Sequence, residues 1–230
     1  MLMDEALIKR IAELEWANYA ATLGTAQVTP GLDVILRDDV IITGSEIFPT
    51  PDTNHACLLR SSPAAADELI AEVTDYFQAK DLPVTIYLSP ACTPADLPQR
   101  LLEHSFVRQK EKEAWLVLDD LPNFKFPSRT PEIAVRPITE EEALTFAEVF
   151  MTSFGMPLDF APQMAQLLRP SIGQPGVYHY IAWHDERPVG VCSLLWYETF
   201  GVWGSAGVAP GHRRRGAITN LGIETITEAR

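Results

Sequence analysis

Apolar residues recur at helical spacing from Asp4 to about Leu23, through Leu7, Ile8, Ile11, Leu14 and Tyr19, and Gly24 follows as a C-terminal stop. The pattern predicts an amphipathic helix. Two β-branched runs, Asp33 to Arg37 and Val40 to Thr43, flank Asp38-Asp39 and predict a hairpin. Gly44 to Asn54, with Pro49 and Pro51, reads as a loop. His55 to Arg60 is the next expected strand, and Ser62-Pro63 opens a helix to about Lys80 with Asp67 and Glu68 in its first turns. Leu82 to Leu88 has the near-continuous apolar character of a strand buried on both faces. Thr93-Pro94 introduces a short helix through His104, and Phe106 to Gln109 and Glu113 to Leu118 are expected to form two strands joined at Lys110-Glu111-Lys112.

Leu121 to Pro131 carries three prolines and little that can pack, so it is the expected linker. Beyond it, Ile133 to Arg136 reads as a strand. Thr139 with Glu142 three residues on forms a capping box for a helix to about Ser153, which Phe154-Gly155-Met156-Pro157 breaks. Pro162 to Leu168 is a second short helix. Tyr178 to Trp183 and Val189 to Tyr197 are antiparallel strands around the turn at Asp185 to Pro188, and Val202 to Val208 follows after Glu198 to Gly201. Ala217 to Ala229 closes the chain as a helix with Ile218, Leu221, Ile223 and Ile226 at its apolar positions.

Composition narrows the class. With 230 residues, 47% of them hydrophobic, the chain can build one large or two small cores. No apolar run reaches the roughly 20 residues that span a bilayer, and the first residues lack a signal peptide's pattern, so a soluble cytoplasmic protein with no membrane partner is expected. Cys57, Cys92 and Cys192 have neither metal-ligand nor redox-motif spacing; they read as buried free thiols, and no metal is expected. The net charge of −13, concentrated in the first 120 residues, repels phosphate backbones and argues against nucleic acid as a partner.

Arg213-Arg214-Arg215 is the local exception. The arginines and Gly216 lie between a predicted strand and a predicted helix, where unpaired amide hydrogens and the helix dipole both favour an anion. The strand order, with Val208-Ala209-Pro210 leading into Arg213-Arg214-Arg215-Gly216-Ala217, resembles the GNAT superfamily of acyl-CoA-dependent N-acyltransferases. That family's pattern is Gln/Arg-x-x-Gly-x-Gly/Ala, starting five residues after a strand-end valine. Val208, Arg213 and Gly216 match it, whereas Ile218 places a β-branched side chain where a second glycine or alanine is expected.

The resemblance covers residues 132 to 230 and implies a site for acetyl-CoA as co-substrate. Amides from Arg214 to Thr219, with the guanidinium groups, would hold the pyrophosphate, and Ala206, Gly207 and Val208 would pair with the pantetheine. The cofactor-binding set is thus Ala206, Gly207, Val208, Arg213, Arg214, Arg215, Gly216, Ala217, Ile218 and Thr219. A small-molecule or peptide amine would be the acceptor. The family domain continues with another strand, a helix that often supplies a tyrosine acid, and two closing strands, so residues 132–230 are expected to be an incomplete domain. An inactive CoA-binding or sensory module is the alternative that Ile218 and the missing acid motivate.

The order of expected elements from His55 onward resembles the second half of the same fold less closely, so that residues 1–120 look like a degenerate domain of that family. Leu101 to Phe106 is similar to the family's Tyr-x-x-x-Gly-Phe segment with Leu101 at the tyrosine position, and Arg60 to Ala66 contains no glycine. The expected architecture is therefore α/β (α+β): two GNAT-like mixed, mostly antiparallel sheets flanked by helices, the first degenerate, the second incomplete, with 121–131 between them. No catalytic residue is assigned. Cys192 reads as core, Glu198 lies in a turn remote from the loop, and His179 is a plain strand residue. Ser205 lies near the thioester position that the resemblance implies, either there or as a small packing residue. Phe154, Met156 and Tyr197 either line an acceptor pocket or belong to the core.

Overall fold

The computed structural model describes residues 4–110 and 114–229. They form two compact units, one of residues up to Ala26 with Pro30–Ala114, the other of Gln27–Thr29 with Trp115 onward.

In the first unit, helix α1 (Glu5–Val28) is followed by strands β1 (Leu32–Leu36), β2 (Ile41–Ser45) and β3 (His55–Cys57), then by helices α2 (Ala66–Gln78) and α3 (Leu97–Glu103). The strands make one antiparallel sheet in chain order, with Ile35 opposite Ile42 and Thr43 opposite His55. The expected hairpin closes where Arg37 N–H donates to Val40 O across Asp38-Asp39. Strand alternation divides the core between two faces. Val40, Ile42 and Ala56 pack with Leu69, Ile70, Val73 and Phe77 of α2 and Leu97 and Leu101 of α3, while Ile41 and Cys57 pack with Tyr19 of α1. Leu101 is therefore a core residue.

Three expectations for the first 120 residues are corrected. Helix α1 does not stop at Gly24 but runs to Val28, because an unhindered glycine costs a helix only about 1 kcal/mol; Pro30 and the left-handed Gly31 end it. Helix α2 starts at Ala66, after Ala65 N–H has closed a turn on Ser62 O. The expected strands at 82–88, 106–109 and 113–118 do not form ladders among the described residues. Ile86 makes a single parallel bridge to Ala56, and the run extends it into no ladder. Val107 and Leu116 are exposed, Leu116 by 96%. Residue 113 lies outside the described residues.

In the second unit, β4 (Ile133–Pro137) leads through a 3-10 turn at Glu140–Glu142 into α4 (Ala143–Phe154). The capping box of Thr139 and Glu142 is present, and Arg136 grips the Glu142 carboxylate with both terminal nitrogens while stacking over Trp183. Gly155, in the left-handed region, ends α4. After α5 (Ala161–Leu168) come β5 (Val177–His184), β6 (Arg187–Tyr197), β7 (Phe200–Val208) and α6 (Ala217–Glu228). The sheet is an antiparallel meander, β4-β5-β6-β7, with β7 at one edge.

Alternation along β5 sets the layers. Tyr180 and Ala182, with Ile133, Val189 and Cys192, pack against Ala217 and Leu221 of α6. His179, on the other face, meets the ring of Phe146 from α4. The protein is thus a mixed α/β chain of two antiparallel sheets flanked by helices. Among the described residues no helix is long and apolar enough to cross a membrane, and no three His, Cys, Asp or Glu side chains gather as a metal site.

Candidate anion-binding cleft

The site is built where β7 gives way to α6. After Val208 a single 3-10 turn, Pro210–His212, carries the chain to Arg213, and α6 begins at Ala217. Two residues in between take left-handed backbone: Arg214 at φ 61 and Gly216 at φ 87. Gly216 is the N-cap of α6, and a Cβ there would lie 1.9 Å from Thr130 Oγ1. Backbone and packing both require glycine. No side chain caps the helix, so its first turn presents amide hydrogens at the positive end of the helix dipole.

The adjacent strand is irregular. Val191 pairs with Gly207 but Ser193 with Gly204, so β7 carries one extra residue, and Ser205 is left-handed at φ 50. This is a β-bulge, which twists the strand and re-aims the residues after it. Ala209 N–H donates to Val189 O on β6, so strand alternation turns the peptide groups of Ala206 and Val208 to the open edge. Gly207 lets α4 approach this edge: a Cβ on it would sit 2.6 Å from Ser153 Cβ and 3.0 Å from Phe154 Cε2.

Together these elements bound an open cleft of about 600 Å³. Ala206, Gly207, Val208, Arg213, Arg214, Gly216, Ala217, Ile218 and Thr219 line it, and Arg215 is the one member of the expected set that does not. Ser153, Phe154 and His212 complete the lining. The cleft therefore has cationic and amide donors with no acidic side chain among its lining residues.

Arg213 departs from its expected role. Its Nε–H donates to Val208 O at 3.1 Å and its Nη2–H to Ser153 O at 2.7 Å, so the guanidinium ties the end of β7 to the end of α4. Charge remains available on Arg214 and Arg215, both exposed. Ile218 exposes 41% of its surface at the start of α6.

The other candidates separate clearly. Phe154 reaches the cleft; Met156 and Tyr197 do not, Tyr197 pairing with Phe200 at the far hairpin. Glu198 is exposed in that same hairpin turn, at the opposite end of β7 from the arginines. Cys57 and Cys192 are buried as expected but Cys92 is only partly so, and burial pushes the Cys192 thiol up to about 12. His179 has more structure than a plain strand residue. Ser193 O–H donates to Nδ1 at 2.7 Å, Nε2–H donates to Ser171 Oγ at 3.1 Å, and Ser171 O–H donates to Leu168 O. Burial pulls this imidazole down to about 4, which keeps it neutral.

Two residues that the sequence did not flag support the loop. Asn220, 1% exposed, accepts Thr130 N–H on Oδ1 at 3.0 Å and donates from Nδ2 to Thr130 O at 2.9 Å and Ile133 O at 2.7 Å. The partners are 87 and 90 residues apart in sequence, with no local pattern to announce them.

No known family's sequence profile matches the chain, and no curated protein matches it. Solved structures do. A GCN5-related N-acetyltransferase from Kribbella flavida is similar at 15% identity, over 91% of this chain and 79% of that one, with a TM-score of 0.56. A conserved protein of unknown function from Staphylococcus epidermidis is similar at 11% identity, over 89% of this chain and 82% of that one, with a TM-score of 0.59. At such identities the likeness is one of fold.

Proposed function

We propose that the chain is an N-acetyltransferase that takes acetyl-CoA into the cleft between β7 and α6 and passes the acetyl group to the amine of a small molecule or peptide. The observation that carries this reading is the Arg214-Arg215-Gly216 turn into an uncapped helix, beside an edge strand whose peptide groups face the same opening. Diphosphate needs several convergent N–H donors and positive charge; the amides of Ala217 to Thr219 and the guanidinium group of Arg214 fit it, with Arg215 adding charge from outside the lining. An extended amide chain needs a free strand edge, and Ala206 offers its N–H and C=O while Val208 offers its N–H. Val208 O already accepts from Arg213, which makes Arg213 a brace of the loop rather than a phosphate ligand.

In the reaction the acceptor nitrogen attacks the thioester carbonyl, loses its proton, and the thiolate leaves with a proton gained. The protein's part is to hold the two reactants in line and to present N–H groups to the developing oxyanion. The bulge at Ser205 re-aims the strand next to the position where that carbonyl falls in this reading. Ile218 narrows the approach to the helix terminus and lowers affinity without removing the amides. Residues 132–230 carry the site. Residues 1–120 are its degenerate counterpart, a reading supported by the glycine-free turn after Arg60, where Thr93 N–H bonds Leu59 O and Ser61 N–H bonds Thr93 O. The cytoplasm, with its supply of acyl-CoA, is the proposed compartment.

A second reading, a CoA-binding module without turnover, is favoured by one observation: the lining residues include no carboxylate, tyrosine or thiol. The two readings separate in a screen of primary amines with acetyl-CoA and the full chain. Release of free CoA with any amine supports transfer, while saturable CoA binding with no release across the panel supports the module.

A further inference from the structure

The anion loop is shaped from outside the cleft. The geometry points to Thr130 and Asn220 as positioning residues for it: a two-part latch that presses the segment before β4 against the N-terminus of α6 and so fixes the backbone of 213–219. The inference rests on the acyl-CoA reading for its consequence, though not for its geometry.

The latch has complementary parts. Asn220 N–H closes the first helical turn on Gly216 O at 2.9 Å, while its side chain reaches the other way and spends its amide on Thr130 and Ile133. Buried at 1% exposure, that amide has no water to fall back on, so its geometry is enforced. Thr130, thus held, fills the space on the Cα of Gly216 that any side chain would need. Arg129 adds an ion pair to Glu224 one turn further along α6, at 2.8 Å. Neither Thr130 nor Asn220 lines the cleft, so each acts through the backbone of the loop.

A residue that only stabilises the fold would, when removed, loosen the whole unit. A latch loosens the loop first. The test is hydrogen exchange of the full chain, wild type against Asn220→Ala, read beside calorimetric titration with CoA. The expected result is faster exchange confined to the first bonded turn of α6, residues 220–223, with β5 and β6 still protected, and CoA affinity reduced by about tenfold or more. Unchanged exchange at 220–223, or equal acceleration across β5 and β6, overturns the latch. If Asn220→Ala does not fold, a cycle in the Asn220 background decides: Gly216→Ala, measured by thermal unfolding, is expected to cost markedly less beside Thr130→Gly than beside the native threonine, and an equal cost in both overturns it. Wild-type protein that fails to bind CoA while its loop still loosens in Asn220→Ala sinks the acyl-CoA reading and leaves the latch standing.

Discussion

Gly216 concentrates the account at the scale of one residue. Its φ of 87 and the 1.9 Å approach to Thr130 leave no room for a side chain, so Gly216→Ala is expected to lower the unfolding temperature and weaken CoA binding together. The arginines divide by geometry. Arg214→Ala is expected to weaken CoA about tenfold and to flatten the salt dependence of binding. Arg213→Ala removes two bonds to backbone carbonyls, so it is expected to cost stability while leaving the salt dependence near that of wild type. Titrations at several ionic strengths separate the two. The glycine and arginines were legible in the sequence because strand, loop and helix are local patterns. The bonds of Arg213 were not, since Ser153 is 60 residues away.

Elements obey the same division between local and distant causes. Helix α6 and the meander β5 to β7 follow from alternation and helical spacing, and the Thr139 capping box from a four-residue motif. Gly24 misled because propensity is a weak force: α1 continues through it, and nothing lies within 4 Å of an added Cβ. Gly24→Ala is therefore expected to stabilise the protein by up to about 1 kcal/mol in chemical denaturation. The apolar runs at 82–88, 106–109 and 113–118 read as strands, but among the described residues they form no ladder beyond the single bridge of Ile86 to Ala56, and a strand is defined by its neighbour rather than by its own sequence. The bulge at Ser205 was likewise invisible, because it is a mismatch of two strands' registers.

For the whole molecule, acid is the revealing perturbation. His55 and His179 are both pulled down to about 4, chiefly by burial, against an ordinary value near 6.5. The unfolded chain takes up these protons first, so stability is expected to fall as pH drops from about 6.5 toward 4. Glu15 opposes the trend: burial raises its pKa, so its contribution grows as the pH falls through its folded value. Thermal unfolding across this range measures the sum, and His179→Phe is expected to flatten it. The net charge of −13 means that an anionic ligand approaches against the overall field, so the local arginines and amides must supply the attraction. The most direct test of that claim is calorimetric titration of acetyl-CoA into the full chain and into Gly216→Asp, which sets a side chain and a negative charge at the helix terminus. Saturable binding by the wild type that is lost in Gly216→Asp with its circular dichroism unchanged is the predicted result; wild-type protein that takes up no heat at millimolar acetyl-CoA contradicts it.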